Sequence, residues 1–163
     1  MLLEGTCHCH KVHFTIRSRH PVPYQLCYCS ICRQTQGGGG FAINLAADAA
    51  TLKLHGKEHT RIYHAHLRAA HHKDQISTAE RHFCGLCGSA LWLFSPEWPE
   101  LLHPFASAIE TALPLPPART HVMLGSKAAW VVPEIHRGDL RFDEYPEESI
   151  ADWHRRHGLE QRL

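Results

Sequence analysis

Seven cysteines in three tight clusters are the feature that most constrains how this 163-residue chain can fold. The clusters are a C-x-C pair, a C-x-C-x-x-C triplet and a C-x-x-C pair, formed by Cys7 and Cys9, by Cys27, Cys29 and Cys32, and by Cys84 and Cys87. An odd number of cysteines cannot pair completely within one chain. Clustered cysteines in a reducing compartment are typical metal ligands. The pattern therefore predicts a chain held together by zinc and not by disulfides.

The spacing within each cluster suits chelation. Tetrahedral zinc holds thiolates at about 2.3 Å, so bound sulfurs lie less than about 4 Å apart. Residues two apart in an extended segment share a face, which lets Cys7 and Cys9 bind one ion. A C-x-x-C turn also brings two sulfurs together, and Gly88 after Cys87 permits positive φ at the end of that turn.

The natural division of the ligands is four plus three. A closed, structural site would take Cys7, Cys9, Cys84 and Cys87. The triplet Cys27, Cys29 and Cys32 would hold a second zinc with one position left for a non-protein ligand, as catalytic zinc sites do. Spacing alone leaves another partition open, in which the sulfurs of Cys29, Cys32, Cys84 and Cys87 form an ordinary zinc ribbon.

Short segments with strand-like patterning predict an all-β fold of stacked sheets. Residues 11–17 alternate apolar and polar side chains, as a half-buried strand does. Further strands are predicted over 40–45, 51–54, 61–67, 90–94, 120–124 and 129–132. A short helical turn is expected within 104–113, and Trp130 is expected in the core. After Tyr145 and Pro146 a C-terminal helix is predicted over 147–157, within a tail of about 144–158.

Composition and charge narrow the class of protein. With 44% hydrophobic and 20% charged residues the chain is an ordinary globular sequence, predicted to form one domain over 1–163. The formal net charge of +1 comes without a basic arm for nucleic acid or anionic lipid. No apolar stretch approaches the ~20 residues of a membrane helix, and no signal peptide is visible, so we expect a cytoplasmic protein.

Several segments resemble one known family. They are Gly5–Cys9 (GTCHC), Cys27–Arg33 (CYCSICR), Arg81–Ser89 (RHFCGLCGS), His121 with 126–130 (SKAAW), and the tail 144–150 with Trp153 and His154. In these segments the chain resembles the glutathione-dependent formaldehyde-activating enzyme family, which also includes relatives of centromere protein V. The resemblance covers nearly the whole chain.

The resemblance implies a fold, a cofactor and an activity. The fold is all-β and zinc-stapled, shared with small Rab-exchange zinc proteins. The cofactor is zinc, two ions per chain in the four-plus-three partition, of which the second is expected to be more easily lost. The activity is that of a carbon–sulfur lyase that joins glutathione to formaldehyde as S-hydroxymethylglutathione.

The chemistry of the triplet agrees with a thiol substrate. A soft site of three thiolates suits a fourth sulfur ligand, and a glutathione sulfur held there would be deprotonated and nucleophilic. Arg33, directly after the triplet, is a candidate partner for a glutathione carboxylate. The alternative is a non-enzymatic, zinc-stapled binding module, in which one of the sixteen histidines closes the second site.

Overall fold

The computed structural model describes residues 1–36, 38–69 and 72–159. Its strands are β1 (Leu2–Thr6), β2 (His13–Arg17), β3 (Tyr24–Cys27), β4 (Ala42–Asn44), β5 (Ala47–His55), β6 (Thr60–Ala69), β7 (His72–Cys84), β8 (Ala90–Phe94), β9 (Leu101–Pro104), β10 (Arg119–Val122) and β11 (Leu140–Arg141). The helices are α1 (Ser30–Gln36) and α2 (Ile150–Arg156), with single 3-10 turns at Lys57–His59, Ala106–Ala108 and Leu124–Ser126. The predicted all-β class with a short C-terminal helix is confirmed.

The strands form two sheets. The larger has seven strands in the order β1-β2-β5-β9-β8-β7-β6, with antiparallel neighbours throughout. The smaller has the order β11-β10-β3-β4, and there β10 runs parallel to both β3 and β11. Both sheets contribute to one apolar core, which includes Phe14, Leu26 and Trp92. The sheets are therefore stacked face to face across buried side chains.

Alternation along β2 shows why this sequence forms a strand. Phe14 and Ile16 are buried, whereas His13 and Arg17 on the opposite face are exposed. The Phe14 ring meets the Trp92 ring edge-on, with centroids 5.0 Å apart, so side chains of β2 and β8 meet in the core over the two strands that separate them in the sheet. The predicted strand over 11–17 is thus present from His13 onward.

The larger sheet is strongly curved. The strands β1 and β7 are separated by four others in the sheet order. Nevertheless the segment that follows β1 meets the end of β7, where the Cys9 and Cys84 sulfurs lie 3.7 Å apart. The Gly85 amide, just beyond β7, also donates to the His59 carbonyl at 2.7 Å. This curvature creates the first cysteine cluster.

The second cysteine cluster lies between the two sheets. A small apolar cluster surrounds it, formed by Cys27, Cys32, Ala42, Phe105 and Val122. Leu93 of β8 packs against this cluster from the larger sheet. The stacking of the sheets therefore determines what surrounds the triplet.

Two local predictions are wrong. Residues 129–132 form no strand, since the Val131 amide closes a turn onto the Ala128 carbonyl at 3.0 Å. Val131 alone turns into the core, and Trp130 is 64% exposed instead of buried. An apolar segment does not form a strand when no neighbouring strand is available to pair with it.

The C-terminal helix begins later than predicted. Its N-cap is Ser149, whose hydroxyl accepts a hydrogen bond from the Asp152 amide at 3.1 Å, so the helix runs over Ile150–Arg156 and not from residue 147. His154 fixes α2 to the body of the protein through a 2.6 Å hydrogen bond between its Nε2 and the Val22 carbonyl. The predicted helical turn within 104–113 is the 3-10 turn at Ala106–Ala108.

We expect Gly56→Ala to destabilise the protein far more than Gly158→Ala. Both glycines have positive φ, 76° and 65°, so each alanine carries the left-handed penalty of roughly 1–2 kcal/mol. A Cβ at Gly56 would also lie 1.9 Å from the Lys11 carbonyl oxygen, whereas Gly158 has open space. Overpacking of this kind adds roughly 1–3 kcal/mol. Denaturant unfolding of the two variants measures the difference, and equal stabilities would contradict this account.

Candidate metal centres and active site

The first cluster is a four-sulfur site. Cys7 and Cys9 follow β1, Cys84 ends β7, and Cys87 lies in the turn beyond it. The Cys7 and Cys9 sulfurs are 3.5 Å apart, and all four sulfurs lie within 4.8 Å of one another. These separations fit a tetrahedral ion with metal–sulfur distances of about 2.3 Å.

Tight turns position these ligands. The Val12 amide donates to the Cys7 sulfur at 3.3 Å. On the other side, the Gly88 amide donates to the Cys84 carbonyl at 2.8 Å, and Gly88 has a φ of 76°. The positive φ predicted for Gly88 is confirmed, and it allows the chain to fold back after Cys87.

The second cluster is a three-sulfur site. Cys27 ends β3, Cys29 lies in the connection, and Cys32 is in the first turn of α1. The three sulfurs lie within 4.8 Å of one another, and the Cys32 amide donates to the Cys29 sulfur at 3.3 Å. Cys27 and Cys32 are buried, at 1% and 4% exposure.

The sulfurs are thus grouped four plus three. Cys29 and Cys32 do not join the C-x-x-C pair of β7 in a zinc ribbon. Among the residues that the structure describes, no histidine or carboxylate comes close enough to complete the triplet as a fourth ligand. A binding module with a histidine closing the second site is therefore not favoured.

Hydrogen bonds among the three thiols shift their pKa values in opposite directions. Those from Cys27 and Cys32 lower the pKa of Cys29 to about 2, and the same sharing raises the pKa of Cys27. Three neighbouring thiolates would repel one another, so a single negative charge is shared among the sulfurs. A divalent cation is what makes three thiolates compatible, and this soft donor set fits zinc.

A buried arginine adds a positive charge beside the triplet. Arg81 lies on β7, opposite Leu93 of β8, and faces the second sheet. It is 9% exposed, and its Nη2 is 3.9 Å from the Cys32 sulfur. The sequence analysis missed it because the contact spans 49 residues along the chain. The only local signal is its position three residues before Cys84.

Arg33, predicted as a carboxylate partner, lies on α1 directly after Cys32. Its Nε is buried and finds no hydrogen-bond partner among the described residues, and neither does Nε2 of Gln36 one turn later. Thr35 and Gln36 line a cavity of about 510 Å³ that extends to Cys7. Helix α1 therefore connects the triplet to a cleft beside the first cluster.

Tyr145 is a second group that the sequence analysis did not assign. Its ring is 65% exposed and it follows β11 in the C-terminal tail. Burial of the hydroxyl, and the negative charge of the cysteine triplet, raise the pKa of Tyr145. The hydroxyl therefore stays protonated at neutral pH.

The fold and the two centres define a class: a small stacked-sheet protein with one four-sulfur and one three-sulfur metal site. Residues 2–122 match the family model described as glutathione-dependent formaldehyde-activating enzyme. The chain belongs to this family, as the cysteine clusters predict.

Two similar proteins were found, one by sequence and one by structure. A protein of Halomonas elongata that carries the name of the same enzyme family is 57% identical over 161 residues, covering 99% of both chains. A crystal structure of a Rhodobacter sphaeroides protein matches 68% of this chain and 91% of its own, with a TM-score of 0.52 and 25% identity. Within the described residues, no helix is long and apolar enough to span a bilayer.

We expect the two clusters to respond differently to loss of one ligand. Cys84→Ser should remove one metal ion and lower the Tm by about 10 °C, which corresponds to about 3 kcal/mol for a domain of this size, because Cys84 links the ends of β1 and β7. Cys29→Ser should remove one metal ion and change the Tm far less. Metal analysis and thermal unfolding test this, and equal falls in Tm would contradict a purely structural first site.

Proposed function

We propose that this protein is a zinc-dependent carbon–sulfur lyase that condenses glutathione with formaldehyde to S-hydroxymethylglutathione. The observation that carries the proposal is the triplet of Cys27, Cys29 and Cys32, to which the described residues add no fourth ligand. A site with three protein ligands leaves a coordination position for a substrate sulfur. The family to which the chain belongs supports the same reaction.

Zinc is the metal proposed for both clusters. Cys7, Cys9, Cys84 and Cys87 would hold the structural ion, and the triplet would hold the second. When bound at the triplet, zinc supplies a soft acceptor that keeps a substrate thiol deprotonated at neutral pH. Seven free cysteines would persist in a reducing compartment, which supports a cytoplasmic location. The core shared by both sheets supports a single domain over 1–163.

The reaction forms one carbon–sulfur bond and transfers one proton. The thiolate sulfur attacks the formaldehyde carbon, a carbon–sulfur bond forms, and the carbonyl π pair moves to oxygen. The proton lost by the thiol is replaced by one that reaches the new alkoxide, so atoms and charge balance. Water at the open site is the proposed source of that proton.

Arg81 favours binding of an anionic substrate. One divalent ion and three thiolates sum to a charge of −1, and the guanidinium next to Cys32 brings that sum to zero. An incoming thiolate then meets a neutral centre instead of an anionic one. In a buried setting this difference is large, since opposite charges are poorly screened there.

The peptide part of glutathione needs donors for two carboxylates. Arg33 and Gln36 supply buried nitrogens that find no partner among the described residues, and both lie on the helix that carries Cys32. Such donors gain hydrogen bonds when a carboxylate arrives. We therefore propose that glutathione lies along α1 with its sulfur at the triplet.

Glutathione should enter the coordination sphere of a cobalt-substituted protein. The charge-transfer and d–d bands are expected to shift and saturate as glutathione is added, because a fourth thiolate binds at the triplet. S-methylglutathione, which lacks the thiol, is the matched control and should leave the bands unchanged. Static bands with two cobalt ions bound would instead support the binding module.

Arg33→Ala should raise the KM for glutathione about tenfold and leave kcat and zinc content unchanged. A hydrogen bond to a charged group contributes about 1.5 kcal/mol or more, which corresponds to that factor. Arg17→Ala, which removes an exposed arginine of β2, is the control for a general loss of positive charge. An unchanged KM for Arg33→Ala would remove this residue from the proposed glutathione site.

A further inference from the structure

A buried carboxylate lies behind the second cluster, on the opposite side of β10. Asp139 accepts hydrogen bonds from the backbone amides of Arg119 and His136, both at 2.8 Å. Its side chain is 3% exposed. Burial opposes ionisation, but these two amides and His121 outweigh it and lower the pKa of Asp139 to about 2. The group is a fixed carboxylate at any physiological pH.

His121 extends this interaction toward the triplet. Its Nε2 lies 3.2 Å from a carboxylate oxygen of Asp139, and its ring is fully buried. Because a carboxylate only accepts, Nε2 carries the proton and donates. The His121 Nδ1 lies 2.8 Å from the Tyr28 hydroxyl, at hydrogen-bond distance. Asp139, His121 and Tyr28 thus form one continuous chain of hydrogen bonds.

Tyr28 lies between two ligands of the second cluster, Cys27 and Cys29. Alternate residues of an extended segment point to opposite sides, so the Tyr28 ring points into the core when the cysteines converge. The ring is 1% exposed and stacks on the His121 ring with centroids 5.7 Å apart. Its backbone amide also donates to the Val122 carbonyl at 3.1 Å. Tyr28 is therefore fixed at both its main chain and its hydroxyl.

We propose that Asp139, His121 and Tyr28 form a positioning relay that holds Cys27 and Cys29 in their metal-binding conformation and sets how long the second site retains zinc. Partners behind metal ligands commonly act in this way, and their removal costs 10–100-fold in metal affinity. The inference rests on the proposed zinc at the triplet but not on the formaldehyde reaction. These are positioning residues, because they act on Cys27 and Cys29 through the backbone on either side of Tyr28 and not through a reacting atom.

The test is the rate of zinc release to an excess of a chromogenic chelator. Tyr28→Phe removes only the hydroxyl, and we expect it to speed the release of one zinc equivalent about tenfold or more while the other equivalent leaves at the wild-type rate. The Cys29→Ser variant, which lacks the second site, identifies the phase that belongs to the first. Tyr24→Phe is the matched control, since Tyr24 begins the strand that Tyr28 follows and its hydroxyl donates to the Pro114 carbonyl at 2.6 Å, away from His121.

Asp139→Asn provides a second variant that acts from the far end of the relay. The side-chain amide of this variant cannot accept at both positions, so it loses either the Arg119 amide or the donors His136 and His121, and it no longer fixes the His121 ring as the carboxylate does. The same zinc equivalent should again leave faster, so the inference stays testable if Tyr28→Phe fails to fold.

The outcomes separate the relay from the proposed reaction. If Tyr28→Phe and Asp139→Asn both release zinc at the wild-type rate, the relay is overturned. It is also overturned if Tyr28→Phe and the control Tyr24→Phe accelerate the release of both zinc equivalents equally. Binding of a single zinc equivalent by the wild-type protein overturns the relay and the proposed function together. If the release rates are as expected but the protein does not act on formaldehyde, the relay is supported and the proposed reaction is contradicted.

Discussion

The approach of cysteine sulfurs that belong to distant segments is the interaction on which the structure depends. Cys9 and Cys84 are 75 residues apart in the chain, and their sulfurs are 3.7 Å apart in space. Thiolates at that distance repel each other unless a cation lies among them. The proposed metal ion at the first cluster would join the segment after β1 to the end of β7.

The second cluster uses the same ligand chemistry in a different setting. Its three sulfurs come from one short segment, so they do not join distant strands. The fold determines which residues surround these sulfurs. Arg81 comes from the larger sheet, and the buried pair of His121 and Asp139 lies behind β10. The first cluster therefore joins segments distant in the chain, whereas the second lies within one segment and is enclosed by residues from both sheets.

The charges around the triplet are arranged in two layers. Arg81 faces the sulfurs directly and offsets their negative charge. The Asp139 carboxylate is kept away from them by the His121 and Tyr28 rings, so its charge is balanced by backbone amides and not by the metal site. This separation lets an ionised carboxylate orient the cysteine segment without opposing an anionic substrate.

The sequence by itself determined the ligand set, the all-β class and the C-terminal helix, because spacing and alternation are local properties of a chain. It did not reveal α1, which begins inside the triplet, and it misplaced Trp130, whose exposure depends on the absence of a neighbouring strand. Spacing and the family resemblance already favoured the four-plus-three grouping, and the tertiary structure excluded the zinc ribbon that spacing left open. Tertiary structure alone decided that Arg81 lies beside Cys32. It also decided that His121 meets Tyr28. These contacts join residues 49 to 93 positions apart, and only the packing of two sheets specifies them.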